Sequence, residues 1–182
     1  MSDYAPEILA RLQRTEFAIA KAFFSFCQEH GIPAVSLYGT VLGAVRHGGF
    51  IPWDDDMDVG LLRQDYQKLL SLRDQLPGEL ELLCPEYTPG YTLTFAKLCL
   101  KNTTFIEASH QERAYHSGIY IDIYPLDFAP EEEAEQRRQQ RRQCKFPKKF
   151  HVLPSFAAEF FRALIAHCDM CSGKIRSFRR ML

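Results

Sequence analysis

The chain has 182 residues, 46% of them hydrophobic and 25% charged, with a formal net charge of −1. That is the composition of one soluble globular domain long enough to bury a real core. No apolar run approaches the roughly 20 residues of a bilayer-spanning helix, and the first residues lack the basic-then-apolar pattern of a secretion signal. Six cysteines, scattered through helix-like and strand-like segments, read as reduced thiols rather than a disulfide framework. A cytoplasmic protein is expected. The charge is uneven: residues 1–136 hold 10 Lys and Arg against 21 Asp and Glu, and residues 137–182 hold 12 against 2. Either the two halves neutralise each other, or an acidic half works beside a basic tail that meets phosphates or anionic lipid. In the second case the protein would sit peripherally at the inner face of the membrane. The chain as a whole is not basic and carries no recognition module, so nucleic acid is not an expected partner.

Ile8, Leu12, Ala18, Ile19, Ala22, Phe23 and Phe26 recur at three- and four-residue spacings, which predicts an amphipathic helix from about Glu7 to His30. Gly31 stops it and Pro33 follows. Ala34 to Tyr38 is a short strand, Gly39 to His47 a short helix, and Gly48-Gly49 with Pro52 a loop. Asp56 to Leu61 is the second strand, and Gln64 to Gln75 a second amphipathic helix ended by Pro77-Gly78. Leu80 to Cys84 and Leu93 to Leu100 are further strands, with Phe105-Ile106 continuing a hairpin after Asn102. Gly118 to Tyr124 is the last clear strand, ended by Pro125. Glu131 to about Cys144 is a charged helix, acidic at its start and basic at its end, and Phe156 to Arg180 forms one or two more. The division is a core over residues 1–130 and a basic helical extension over residues 131–182.

In Trp53-Asp54-Asp55-Asp56-Met57-Asp58-Val59-Gly60, four carboxylates lie within five positions between apolar residues. Side chains alternate along a strand, so Asp56 and Asp58 share a face. Two like charges that close repel unless a cation lies between them, and oxygen ligands suit Mg²⁺ or Mn²⁺. The plainer reading is an acidic turn leading into a strand with one solvent-facing Asp. Upstream, the strand breaks at Gly39-Thr40 and opens into a helix, which aims backbone N–H groups and the Thr40 hydroxyl at an anion. Arg46 and His47 follow within reach of a phosphate. Asp122 falls mid-strand between Ile121 and Ile123, a poor place for an unpaired charge; the alternative is an Asp on a half-exposed face. Lys97 lies in an apolar stretch, where a lysine needs a carboxylate or phosphate partner. Cys168-Asp169-Met170-Cys171 is a single CxxC, without the second paired motif of a strong zinc signature.

The strand, Gly-Thr turn and Asp-x-Asp resemble the signature of the nucleotidyltransferase superfold. More narrowly, GTVLGAVRHGGFIPWDDDMDVGLLRQDY, Gly39 to Tyr66, resembles the hallmark of the LicD family. Phe95-Ala96-Lys97-Leu98, Asn102 to Glu107, and Gly118 to Asp127 agree with it. The resemblance implies an α/β (α+β) fold with a small mixed sheet flanked by helices. It implies transfer of a phospho-alcohol, phosphocholine first among the choices, from a CDP-activated donor to a glycan acceptor. CDP-ribitol and CDP-glycerol are the other donors considered, and a non-catalytic nucleotide-binding or scaffolding relative is the remaining alternative. Asp56, Asp58 and Asp122 would be catalytic and hold Mg²⁺ or Mn²⁺. Gly39, Thr40, Arg46, His47, Lys97 and Asp54 would bind substrate, with Asp54 also orienting the ligands and Asp55 the more dispensable. Trp53 and Tyr38 would either stack on cytosine or choline or belong to the core. Tyr38 stands where the family commonly has a second glycine. Family members usually extend past the point where this chain stops, so a short or truncated member is expected.

Overall fold

A computed structural model describes residues 4–106 and 115–128, together with Glu132, Glu135, Arg138 and residues 152–153. Helix α1 (Pro6–Glu29) starts with proline in its first turn, where no hydrogen bond is lost. It ends at His30 and Gly31, whose φ of +60° suits the missing side chain. Strand β1 (Val35–Ser36) is shorter than expected, because Tyr38 already begins helix α2 (Tyr38–His47). Strand β2 (Asp58–Leu62) runs straight into helix α3 (Arg63–Ser71), and a 3₁₀ turn at Arg73–Gln75 completes the stretch read as one helix. Strands β3 (Leu80–Leu83), β4 (Ala96–Leu100) and β5 (Tyr120–Phe128) follow, then the short β6 (Val152–Leu153).

The sheet order is β1-β2-β5-β4-β3, with β6 paired to the far end of β5. Only β2–β5 and β5–β6 are parallel; the other pairs are antiparallel. The class is therefore α+β with a mixed sheet, as expected. One face carries Val59, Leu61, Ala96, Leu98, Ile121 and Ile123, and α1 and α3 cover it with Ile19, Phe23, Phe26, Tyr66 and Leu69. On the opposite face Tyr124 and Leu126 pack with Val35, Leu37 and Phe95. Apolar residues on both sides explain why these strands read as nearly continuous apolar runs. Cys27, Cys84 and Cys99 are buried free thiols.

Two strand expectations are corrected. Phe105 and Ile106 form no strand, although the Phe105 N–H still donates to the Ser117 carbonyl at 2.8 Å. Pro125 does not end β5; the strand runs on through it and pairs it with Leu61. The Asp122 N–H donates toward β2, to Met57 O at 2.9 Å. By alternation the missing N–H of Pro125 therefore faces the β4 side, where the last paired residue is Ile123. Proline is tolerated there because no ladder bond is lost. Of the helix read over 131–144 only Glu132, Glu135 and Arg138 are described, the last two helical; the helices read over 156–180 lie outside the described residues, as do Cys144, Cys168 and Cys171.

Candidate active site

Sheet register builds the centre of the site. Asp58 on β2 lies opposite Asp122 on β5, and Asp122 lies opposite Lys97 on β4. The three side chains therefore line one row across neighbouring strands. All are buried: Asp58 and Asp122 are 7% exposed and Lys97 is 4% exposed. Lys97 Nζ is 3.1 Å from Asp122 Oδ1 and packs over the Tyr120 ring. The lysine thus has a carboxylate partner inside the protein, the structural one of the two partners expected for it. Tyr124, two residues beyond Asp122 on the same face, donates its hydroxyl to Asp122 Oδ2 at 3.4 Å. It also hydrogen-bonds Asp58, so one buried phenol serves both acids.

The turn from β1 into α2 grips Asp58 by its backbone. The Leu37 N–H donates to the Asp58 carbonyl at 2.9 Å, and the Asp58 N–H donates to Thr40 Oγ1 at 2.8 Å. Thr40 thereby places the start of α2 against the acid, and its own hydroxyl proton remains to donate. A Cβ on Gly39 would lie 2.5 Å from Asp54 Oδ2, so only glycine leaves room for that carboxylate. Tyr38, at the position of the expected glycine, has a φ of +44°, a conformation that β-carbon-bearing residues adopt at a cost. Its ring packs edge-on to Tyr124. Arg46 and His47 end α2 on the exposed surface, with His47 edge-on to the exposed Trp53.

Asp56 belongs to the loop entering β2, which begins at Asp58, so the expected strand over both acids is corrected and strand alternation does not set Asp56 beside Asp58. The loop is drawn toward α1, where Gln13 Nε2 donates to the Asp54 carbonyl at 2.8 Å. Oxygens of Asp54, Asp55 and Asp56 come within 4.8 Å of one another. Burial, then the neighbouring Asp56 and Asp122 charges, push the Asp58 carboxyl up to about 7. Burial, then Asp54 and Asp122, push Asp56 up to about 6. Asp54 is raised by burial and by Asp55.

Sequence reading missed two participants. Tyr124 was detectable as the same-face neighbour of Asp122. Glu16 of α1 is 2% exposed and is pushed up to about 9, first by burial and then by Asp56, Asp55, Asp54 and Asp122. Its signal was a charge lying four residues after Leu12 and three before Ile19, inside the apolar stripe.

A mixed sheet that presents acids from two adjacent parallel strands beside a helix start is the framework of a nucleotidyltransferase-type domain. Residues 31–164 match the family described as LicD/FKTN/FKRP, nucleotidyltransferase domain, and the chain belongs to that family. It is 32% identical over 112 residues to the lipopolysaccharide cholinephosphotransferase LicD of Haemophilus influenzae, covering 60% of this chain and 41% of that protein. It is 38% identical over 96 residues to an uncharacterized protein of Rickettsia prowazekii, covering 51% and 32%. With the human ribitol 5-phosphate transferase FKRP it shares 43% identity over 42 residues, covering 23% and 8%. The chain thus spans less than half the length of these relatives.

Proposed function

We propose that this chain transfers a phospho-alcohol from a CDP-activated donor to a cell-surface glycan of lipopolysaccharide or teichoic acid type, with release of CMP. The observation that carries the reading is the register of Asp58 against Asp122 on parallel strands, beside the Asp54–Asp56 loop, in a chain of the LicD family. The acids fit a hard divalent cation. Their donors are all oxygen, and burial first, then mutual repulsion, raises the affinity of Asp56 and Asp58 for protons. Asp56, Asp58 and Asp122 would hold Mg²⁺ or Mn²⁺, with Asp54 beside them. Such a cation, when bound, neutralises charge on the donor diphosphate.

The protein's own groups divide the remaining work. The start of α2 offers the Gly39 and Thr40 N–H groups and the Thr40 hydroxyl to the donor phosphates. Arg46, exposed at the other end of α2, adds a cationic contact to phosphate, and His47 beside it a hydrogen-bonding one. Lys97 pairs with Asp122 and holds it in place from 3.1 Å away. Asp122 takes the acceptor hydroxyl's proton as that oxygen forms its bond to phosphorus, and the bond to CMP breaks with its electron pair leaving on CMP. Alignment and charge compensation supply most of the acceleration in such transfers.

The likeness to the Haemophilus cholinephosphotransferase supports phosphocholine as the transferred group. The shorter likeness to the human ribitol 5-phosphate transferase supports CDP-ribitol as the second reading. CMP release from CDP-choline, CDP-ribitol and CDP-glycerol, each with Mn²⁺ and a bacterial glycan extract, tests both. Acceptor-dependent release from one donor identifies it; tight CDP binding with no release from any would mark a non-catalytic relative.

A further inference from the structure

We infer that Glu16, on α1, is a further carboxylate of the cation site and closes it from the helix side. The inference rests on the cation reading above and extends it to a helix that the strand motif does not include. Three observations carry it. Glu16 is 2% exposed, and its Oε2 has no hydrogen-bond partner among the described residues. A buried carboxylate oxygen without a partner is costly unless a cation compensates it. Next, the charges within electrostatic reach of Glu16 that act on it most are all acidic: Asp56, Asp55, Asp54 and Asp122. Finally, Gln13, one helical turn earlier on the same side of α1, donates to the Asp54 carbonyl at 2.8 Å and to the Ile51 carbonyl at 3.4 Å. The acidic loop is therefore fastened to α1 at the level where Glu16 projects.

A structural role alone would be served better by leucine at this position. Leu12, Ile19 and Phe23 fill the same buried stripe, and an acid in that stripe stabilises nothing in the metal-free chain. With a divalent cation bound, Glu16 supplies one more oxygen, directly or through a bound water, and α1 becomes part of the metal-binding unit. Cation binding then also secures α1 against the loop.

The test is Mn²⁺ binding to the full chain, followed by electron paramagnetic resonance of the free ion and by the metal-induced rise in Tm, with and without CDP. Wild type, Glu16→Gln, Glu16→Asp and Asp56→Asn are compared, each first shown to be folded in EDTA. The inference predicts at least a tenfold weaker Mn²⁺ affinity for Glu16→Gln, a smaller Tm rise, and partial recovery in Glu16→Asp. Wild-type Mn²⁺ affinity in Glu16→Gln, together with weakened binding in Asp56→Asn, would overturn the inference and leave the cation reading standing. No Mn²⁺ binding by wild type in either condition would overturn both.

Discussion

Lys97→Met should cost the metal-free protein several kcal/mol, because it strands Asp122. The ammonium and carboxylate are 3.1 Å apart, with side chains 4% and 9% exposed. At that separation, and at the effective dielectric of about 20 that suits protein sites, the attraction is about 5 kcal/mol. Removing one partner of such a buried pair typically costs about 3–5 kcal/mol. Here the remaining charge also faces Asp58, directly opposite in register. Asp122 can relieve part of this by taking up a proton, which places the expected loss near the lower figure. Lys97→Met/Asp122→Asn removes both charges and should recover at least about 2 kcal/mol relative to the single variant. Urea unfolding in EDTA at pH 7 measures both differences. A loss below about 1 kcal/mol for Lys97→Met, with no recovery in the double variant, would show that Lys97 does not neutralise Asp122 in the folded chain.

Other expectations concern pH, close packing and the helix start. Glu16 is raised from an ordinary 4.5 to about 9 on folding, so the folded state keeps a proton that the unfolded state loses. Its contribution to stability is therefore lost as pH rises from 4.5 toward 9, and not on acidification. In EDTA, Glu16→Gln should be about 3 kcal/mol more stable than wild type at pH 7 and equal to it near pH 4; equal stability at both would contradict a buried protonated Glu16. Gly43→Ala should cost about 1–3 kcal/mol, since its Cβ would lie 2.5 Å from the Gly49 carbonyl oxygen and 2.8 Å from the Ile51 nitrogen; an unchanged Tm would show that the loop packs elsewhere. Gly39→Ala should reduce CMP release about tenfold or more while changing Tm little, because its Cβ displaces the movable Asp54 carboxylate and not backbone; full activity would remove Asp54 from the site.

The row of buried charges was legible because strand chemistry is local. An acid between Ile121 and Ile123, and Asp58 before Val59, break apolar strands that offer no other reason for charge. Register then brought them together. What the sequence hid depends on neighbours distant along the chain. Pro125 reads as a terminator until the pairing of β4 with β5 is seen to end at Ile123, freeing the side where its N–H would point. Ile8 was placed in the apolar stripe of α1 but is exposed, whereas Leu9 and Glu16 are buried. Helical spacing alone does not say which part of the stripe meets the sheet and which meets an acidic loop. Tyr38 stands where the family resemblance leads one to expect glycine. The chain nevertheless adopts positive φ there, with the ring packed on Tyr124.

The most direct test of the account is transfer of labelled choline phosphate from CDP-choline to a glycan extract with Mn²⁺, comparing wild type with Asp58→Asn. The account predicts acceptor-dependent labelling by wild type and at least a hundredfold slower labelling by Asp58→Asn, which retains the backbone grip on Leu37 and Thr40. Equal labelling by the two proteins would contradict it, because the carboxylate in register with Asp122 would then take no part in the reaction.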